Sequence, residues 1–283
     1  MSVLAGFSLP TTLIAQSSPR QPNVVIIVAD DLGYGDLSCY GAHRIQTPGM
    51  DRIANEGIRF TQGYCTAATS TPSRYSLLTG LYPWTNREAK ILPGNAALII
   101  NTQQVTLPKV MKQAGYVTGS VGKWHLGLGD GAVDWNKLVY PGAKEIGYDY
   151  SFIQAATNDR VPCIFLASGR GVNLDPNDTP ELLIMLPIVG HAGASVNGVP
   201  RIGFQKGGKT AQWKDEDMAE LFLEKAKGFM KKNKDKPFFL YYGLHQPHVP
   251  RVPNERFAGK SGMGPRGDVI LEADWCVTEF LKE

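Results

Sequence analysis

Continuous apolar runs alternate along this chain with segments of helical periodicity, and this alternation predicts an α/β fold. Asn23–Ala29 and Pro237–Tyr242 are unbroken apolar runs, which are typical of strands buried on both faces of a parallel sheet. Tyr116–Val121 is a third predicted strand, and a shorter one is predicted over Ile58–Thr61. We therefore expect a mostly parallel central sheet flanked by helices.

The helices are marked by their start and stop residues. Thr47 and Pro48 offer an N-cap and a first-turn proline, and Gly57 offers a stop. Apolar residues recur at helical spacing between Met218 and Met230. The predicted helices are Pro48–Glu56, Pro72 to about Gly80, Leu107–Ala114, one through Met218–Met230, and Asp268–Leu281. Residues 130–210 are rich in Gly, Pro and Asn, and this composition predicts long loops and insertions.

The charge of the chain gives no indication of a nucleic-acid partner. The formal net charge is +3, from 29 Lys and Arg against 26 Asp and Glu. The one dense basic run, from Lys231 to Lys236, falls at a predicted helix end, where cations are favoured. The four cysteines match no zinc pattern and no CxxC motif, and no run is long and apolar enough to be a transmembrane span.

The N-terminal segment differs from the rest of the chain. Residues 1–19 carry no charge, and Val3–Ala15 is mostly apolar. We interpret residues 1–20 as a signal peptide, with cleavage after Ala15, or as a disordered tail, and residues 21–283 as the catalytic domain. A signal peptide predicts a periplasmic or secreted protein.

Polar residues follow two of the predicted strands directly. Asp30 and Asp31 come after the first strand, and His245 and His248 come after the strand that ends at Tyr242. In open α/β sheets this edge is where ligands bind. The paired carboxylates are either turn or cap residues or ligands for a hard cation such as Ca²⁺ or Mg²⁺. Two His at this spacing allow zinc, but no third soft ligand stands near them.

The segment from Ser70 to Arg74, Ser-Thr-Pro-Ser-Arg, places a nucleophile next to an anion site. Pro72 suits the first turn of a helix, so Ser70 is expected at a helix N-terminus, which favours anions. Arg74 lies one turn further on and can bind an oxyanion with its fork of N–H donors. The alternative is a capped helix start with a surface arginine.

These segments resemble the sulfatase family, whose separate motifs occur here in the family's order. The motifs are NVVIIVADDLGYGDLSCYG, TPGMDRIANEGIRFTQGY, STPSRYSLLTG, GKWHLG and HQPHVP. The resemblance implies an alkaline-phosphatase-like fold and hydrolysis of sulfate esters. It also implies that Ser70 is oxidised to formylglycine by a separate maturation enzyme, as in serine-type sulfatases. Cys65 does not fit the motif, because Ala67 stands where the motif has proline and Thr69 where it has arginine.

The resemblance assigns a role to each candidate residue. Asp30 and Asp31, with the residue made from Ser70, would bind Ca²⁺, or Mg²⁺. Lys123 would bind the sulfate and the formylglycine. The remaining roles that it implies are oxyanion binding by Arg74, a base for sulfate release at His125, protonation of the leaving oxygen and substrate contact at His248, and support or substrate contact at His245.

The resemblance covers only the N-terminal portion of the family. Sulfatases carry a later strand that ends in Asp-Asn or Asp-Gln, a further Lys and a smaller C-terminal domain. We expect the remaining metal ligands to lie beyond Glu283, and we expect the 283-residue chain alone to bind Ca²⁺ poorly and to be unstable.

Three functions remain open at this point. The chain is predicted to belong to a sulfatase, to a phosphatase or phosphonate hydrolase of the same superfamily that uses unmodified Ser70, or to an inactive binding module. The substrate that we expect is a sulfated small molecule or glycan. The segment GYDYSFIQAATNDRVPCIF resembles bacterial sulfatases that are compared with N-acetylgalactosamine-6-sulfatases.

Overall fold

The computed structural model describes residues 21–183 and 195–283, so the predicted signal peptide or tail over residues 1–20 lies outside the described residues. Ten strands are present in this part of the chain. They are β1 Val24–Val28, β2 Val117–Lys123, β3 Tyr150–Gln154, β4 Phe165–Ala167, β5 Arg170–Gly171, β6 Glu181–Leu183, β7 Ser195–Val196, β8 Val199–Pro200, β9 Phe204–Lys206 and β10 Phe238–Gly243.

The main sheet has six strands in the order β1-β10-β2-β3-β4-β5. The first four strands run parallel, and β4 and β5 pair antiparallel at the far end. The predicted mostly parallel sheet is therefore confirmed. The pairs β6–β9 and β7–β8 form two small antiparallel sheets beside it.

The five α-helices agree with the predicted ones to within a few residues at each end. They are α1 Pro48–Glu56, α2 Ser70–Thr79, α3 Leu107–Gln113, α4 Met218–Lys232 and α5 Gly264–Phe280. Helix α2 begins two residues before Pro72, which leaves Ser70 in its first turn as predicted. None of the described helices has the length and apolar character needed to cross a bilayer.

Alternate side chains of β10 build two separate cores, one on each face of the sheet. Phe238, Leu240 and Tyr242 join the apolar cluster that includes residues of α4 and α5. Phe239 and Tyr241 join a second cluster, which includes residues of α2. Because successive strand side chains point to opposite faces, one continuous apolar run supplies both clusters. The result is a three-layer α/β/α arrangement.

The predicted strand over Ile58–Thr61 is wrong. These residues belong to no strand, and Ile58 is 79% and Phe60 69% exposed. A short apolar run becomes a strand only where it finds a pairing partner and a face to bury, and this run finds neither among the described residues.

The loop prediction for residues 130–210 is also partly wrong. This region contributes β3, β4 and β5 to the main sheet and buries Trp135 and Ile146 in the core. These strands were not predicted because each is only two to five residues long and lies in a region whose composition is typical of loops. The C-terminal end of β3 lies at the same edge of the sheet as the ends of β1, β2 and β10.

Candidate active site

The four parallel strands end at one edge of the sheet, and the predicted site residues lie there. The pairing of β1 with β10 continues beyond both strands, because Leu244 N–H donates to Val28 O (2.9 Å) and Asp30 N–H donates to Gln246 O (2.8 Å). Beyond β2, His125 N–H donates to Ala155 O (3.1 Å). These bonds fix the backbone of the loops that carry the reactive side chains.

Ser70 lies between a cation and an imidazole. Its Oγ is 3.0 Å from Arg74 Nε and 3.0 Å from His125 Nδ1. The other ring nitrogen, His125 Nε2, is 3.0 Å from Leu92 O. A carbonyl oxygen only accepts, so Nε2 carries the proton and Nδ1 accepts the hydrogen of the Ser70 hydroxyl. The sequence motif gave no indication of the Leu92 carbonyl, because only the fold brings it to His125.

Helix α2 is docked onto this loop through its first turn. The hydroxyl of Thr71 is buried and donates to His125 O at 2.9 Å. Burial lowers the pKa of His125 well below its ordinary value, and the charge of Lys123 lowers it further. The imidazole is therefore neutral near pH 7 and able to accept a proton.

Gly122 allows the strand β2 to approach its neighbour at the site. Its φ is +96°, and a Cβ at this position would lie 1.9 Å from Gly243 O. Only glycine fits here, because a side chain would meet the backbone of β10. The next residue, Lys123, is thereby placed at the strand end with its side chain fully buried.

Asp30 carries a negative charge that faces two cations. Lys123 Nζ forms an ion pair with Asp30 Oδ2, and Arg74 Nη2 lies 3.5 Å from Asp30 Oδ1. Burial raises the pKa of Asp30, but Lys123 and Arg74 outweigh that effect and the net pKa is lowered. Burial lowers the pKa of Lys123 to about 7 despite the charge of Asp30. The buried centre thus holds more cationic than anionic groups while Lys123 is protonated.

The guanidinium of Arg74 is held in place through its Nη1 nitrogen. Nη1 donates to Lys123 O at 3.2 Å and to the hydroxyl of Tyr241. Tyr241 was not among the predicted site residues. The signal that could have found it is its place in a buried strand, since a buried tyrosine hydroxyl usually needs a polar partner. Tyr241 therefore helps to hold Arg74 against Ser70.

Asp31 and His248 lie nearer the surface. The Asp31 side chain is 56% exposed, and its Oδ2 is 3.9 Å from His248 Nε2. His248 Nδ1 is 2.6 Å from Val249 O, so Nδ1 is the protonated nitrogen and Nε2 is open to accept or exchange a proton. The backbone of Asp31 has φ +65°, a strained conformation for a residue with a side chain. This turn directs the two neighbouring carboxylates into different surroundings.

His245 differs from His248 in its burial. It is 5% exposed, and its ring packs edge-on against Phe222, with centroids 6.0 Å apart. Burial lowers the pKa of His245 to about 3, so it is neutral. His245 therefore lies buried against Phe222, just beyond the end of β10.

The donor groups partly fit a hard cation. The oxygens of Asp30 and Asp31, at one strand end beside Ser70, are the type that Ca²⁺ or Mg²⁺ binds, but Ca²⁺ takes about six to eight. Within residues 21–183 and 195–283, no group of three or more His, Cys, Asp or Glu is placed to hold a metal ion.

Comparison with known proteins identifies the family. The sulfatase family model matches residues 22–283. The N-acetylgalactosamine-6-O-sulfatase of Bacteroides thetaiotaomicron is 52% identical over 281 residues, which cover 93% of this chain and 55% of that protein. Human arylsulfatase A is 34% identical over 264 residues, which cover 93% of this chain and 48% of that protein.

A solved structure gives the same result in three dimensions. This structure, from work on the metabolism of multiple glycosaminoglycans by Bacteroides thetaiotaomicron, superposes with a TM-score of 0.90 at 50% identity, covering 93% of this chain and 59% of that one. The chain spans about half the length of the curated relatives it matches. The motifs, the predicted alkaline-phosphatase-like fold and these matches agree, and the chain belongs to the sulfatase family.

Proposed function

We propose that the protein containing this chain hydrolyses sulfate esters at the residue made from Ser70. The observation that carries this proposal is the position of Ser70 Oγ, 3.0 Å from both Arg74 Nε and His125 Nδ1. A nucleophile that accepts a hydrogen bond from a cation and donates one to a neutral imidazole is prepared to lose its proton.

The surrounding charge favours an anionic substrate. Lys123 and Arg74 both face Asp30, so cations outnumber carboxylates in the buried part of the site. In a buried site this excess attracts the oxygens of a sulfate more strongly than it would in water. We assign Lys123 to sulfate binding and Arg74 to holding both Ser70 and the developing oxyanion.

Formylglycine would explain how a single residue completes two steps. Oxidation of Ser70 would give an aldehyde, and addition of water would give its hydrate with two hydroxyls. One hydroxyl would attack sulfur while the bond from sulfur to the alcohol oxygen breaks. The other would then lose its proton and re-form the aldehyde while the C–O bond to the sulfate breaks. His125 Nδ1 faces this position and can take the proton that release requires, while Leu92 O holds the ring. The modification needs a separate maturation enzyme as partner.

His248 is assigned to protonation of the leaving oxygen. Its Nδ1 is held by Val249 O at 2.6 Å, and its Nε2 lies 3.9 Å from Asp31 Oδ2 at the end of β1, on the same edge of the sheet as Ser70. His245 is assigned to support of this loop, because its ring is buried against Phe222. The two histidines after β10 thus have different roles.

A metal ion bound by Asp30, Asp31 and the residue made from Ser70 would polarise the nucleophile and neutralise sulfate oxygens. Ca²⁺ is the expected ion and Mg²⁺ the alternative, since all these ligands are oxygens. Asp31, at 56% side-chain exposure, is free to turn toward a cation, whereas Asp30 is already held by Lys123 and Arg74.

The substrate that we propose is a sulfated sugar, specifically an N-acetylgalactosamine 6-sulfate unit. Support comes from the 52% identity to the N-acetylgalactosamine-6-O-sulfatase. Secretion or export to the periplasm fits a polymeric sulfated substrate and the signal peptide predicted from the sequence.

The test uses the whole protein made together with a maturation enzyme. We expect the peptide bearing Ser70 to be about 2 Da lighter than its sequence mass, and N-acetylgalactosamine 6-sulfate to release sulfate. Ser70→Ala should retain the fold and lose turnover. Intact serine with turnover of a phosphate ester would instead establish a phosphatase, and binding without turnover would establish a binding module.

A further inference from the structure

The loop that follows β3 lies beside the segment that carries His125. This 157–160 loop comprises Thr157, Asn158, Asp159 and Arg160. It begins two residues after Ala155, whose carbonyl accepts the N–H of His125 at 3.1 Å. The loop therefore starts beside the catalytic imidazole.

The 157–160 loop is also tied to the loop that carries His248. Asn158 Nδ2 donates to Pro250 O at 3.1 Å, two residues beyond His248. The loop thus spans the gap between the two histidines assigned to catalysis.

The backbone of the 157–160 loop is firmly held from behind. Arg201 Nη1 donates to Asn158 O at 2.7 Å, and Ile202 N–H donates to Asp159 O at 2.6 Å. Thr157 and Asn158 are 1% and 2% exposed. A rigid backbone next to a reactive centre is suited to present side chains to a substrate.

The other two side chains of the loop, Asp159 and Arg160, form an ion pair. Arg160 Nη1 donates to Asp159 Oδ1 at 2.7 Å and to Thr157 Oγ1 at 2.6 Å. The side chains of Arg160 and Asp159 are 16% and 15% exposed, so they are largely buried and still reach solvent. Among the described residues these bonds use only Nη1 of the guanidinium. The Nε and Nη2 donors and the second carboxylate oxygen are available to a ligand.

We propose that Asp159 and Arg160 form a specificity element that binds hydroxyl groups of the sugar carrying the sulfate ester. This inference rests on the sulfatase function proposed above and adds the residues that recognise the sugar. A carboxylate beside a guanidinium offers an acceptor and a donor in fixed geometry, which matches a sugar hydroxyl, itself both donor and acceptor.

The pair is better suited to hydroxyls than to the sulfate itself. Asp159 lies 2.7 Å from the Arg160 guanidinium and offsets its charge, so the pair as a whole does not attract an anion strongly. The excess of cations lies instead at Lys123 and Arg74, next to Ser70. The distribution of charge therefore favours sulfate binding at Lys123 and Arg74, and binding of the uncharged sugar at Asp159 and Arg160.

The test compares two substrates in the whole matured protein. N-acetylgalactosamine 6-sulfate presents sugar hydroxyls, and 4-nitrophenyl sulfate presents none. For Arg160→Ala we expect kcat/KM on the sugar to fall about 10- to 100-fold, the value of a lost hydrogen bond to a charged group, and to change less than about twofold on the aryl sulfate. Asp159→Asn should give a smaller loss of the same kind.

The matched control is Arg170→Ala, which removes an exposed arginine from β5. It should leave both substrates unaffected. Equal losses on the two substrates for Arg160→Ala would overturn the inference, because the residue would then act through His125 or through folding. Unchanged kinetics on the sugar would overturn it as well.

A binding measurement separates this inference from the proposed function. In Ser70→Ala protein, Arg160→Ala should weaken binding of N-acetylgalactosamine 6-sulfate about 10-fold or more and leave inorganic sulfate binding unchanged by calorimetry. This result supports sugar recognition even if no turnover is found in the parent protein. Equal weakening of both ligands would assign Arg160 to the sulfate site and contradict the inference.

Discussion

Two buried groups of charged side chains in this molecule differ in their surroundings and, we infer, in their roles. Arg201 and Asp215 form a closed pair, in which Nη1 and Nη2 of the guanidinium donate to Oδ1 and Oδ2 of the carboxylate. At the reactive centre, Asp30 instead faces two cations, Lys123 and Arg74. All five side chains are almost completely buried.

The balance of charge follows from the number of partners. Burial raises the pKa of Asp215, and its partner Arg201 does not fully offset the effect. Burial also raises the pKa of Asp30, but there the two cations outweigh it and the pKa is lowered. We infer from this comparison that a one-to-one pair fixes structure, here the 157–160 loop, whereas two cations against one carboxylate leave capacity for an anion.

The largest expected effect concerns the closed pair. Arg201→Met should lower the free energy of unfolding by about 3–5 kcal/mol, because Asp215 is left buried without its cation. Urea denaturation of the whole protein measures this loss. A loss no larger than that of the exposed control Arg170→Ala would show that Asp215 finds another partner and would remove the contrast between the two pairs.

The next largest effect is a loss of activity expected in the cluster of Asp30, Lys123 and Arg74. Lys123→Met should reduce kcat/KM for 4-nitrophenyl sulfate about 10²- to 10³-fold, as for other preorganised groups that stabilise charge in the transition state. The loss of stability should be smaller than for Arg201→Met, because Arg74 still lies 3.5 Å from Asp30. Reversed results, with stability lost and activity kept, would contradict the assignment of the cluster to the anion.

A double variant sharpens the structural interpretation of the closed pair. Arg201→Met combined with Asp215→Leu should recover stability to within about 1 kcal/mol of the parent, since apolar replacement of a whole buried pair is often neutral. Without Arg201, the bond to Asn158 O is absent, so KM for the sugar substrate should rise while the aryl sulfate is hydrolysed normally. A sugar KM equal to that of the parent would show that Ile202 alone holds the loop.

The smallest effect is expected for a pair near the surface. Arg266 and Asp36 lie 2.7 Å apart with 38% and 18% side-chain exposure. Arg266→Ala should cost about 0.2–1 kcal/mol of unfolding free energy, because water solvates both charges. The difference should shrink in 1 M NaCl, where screening acts over about 3 Å, while the effect of Arg201→Met persists. A salt-independent loss would mean that Arg266 acts through packing.

Much of the fold followed from local patterns. The runs around β1, β2 and β10 were predictable because strands buried on both faces need unbroken apolar sequence. The prediction failed at Ile58–Thr61, where an apolar run stays exposed, and at β3, where a five-residue strand lies inside a glycine-rich region. Pairing partners decide short strands, and these come from distant parts of the chain.

The sequence by itself determined which residues could do chemistry at this site. The motifs predicted that the candidate residues lie at one edge of the sheet, because the ends of parallel strands share that edge. These residues are Asp30, Ser70, Lys123, His125 and His248. It also placed Ser70 in the first turn of a helix, which the structure confirms.

Only the tertiary structure decided how those residues are charged and what they face. Lys123 meets Asp30 across 93 residues, Arg74 meets Tyr241 across 167, and Asn158 meets Pro250 across 92. Hydrogen-bond geometry and burial depend on such distant contacts, and both control the protonation of a side chain. For this reason the neutral tautomer of His125, the burial of His245 and the ion pair of Asp159 with Arg160 could be seen only in the folded chain.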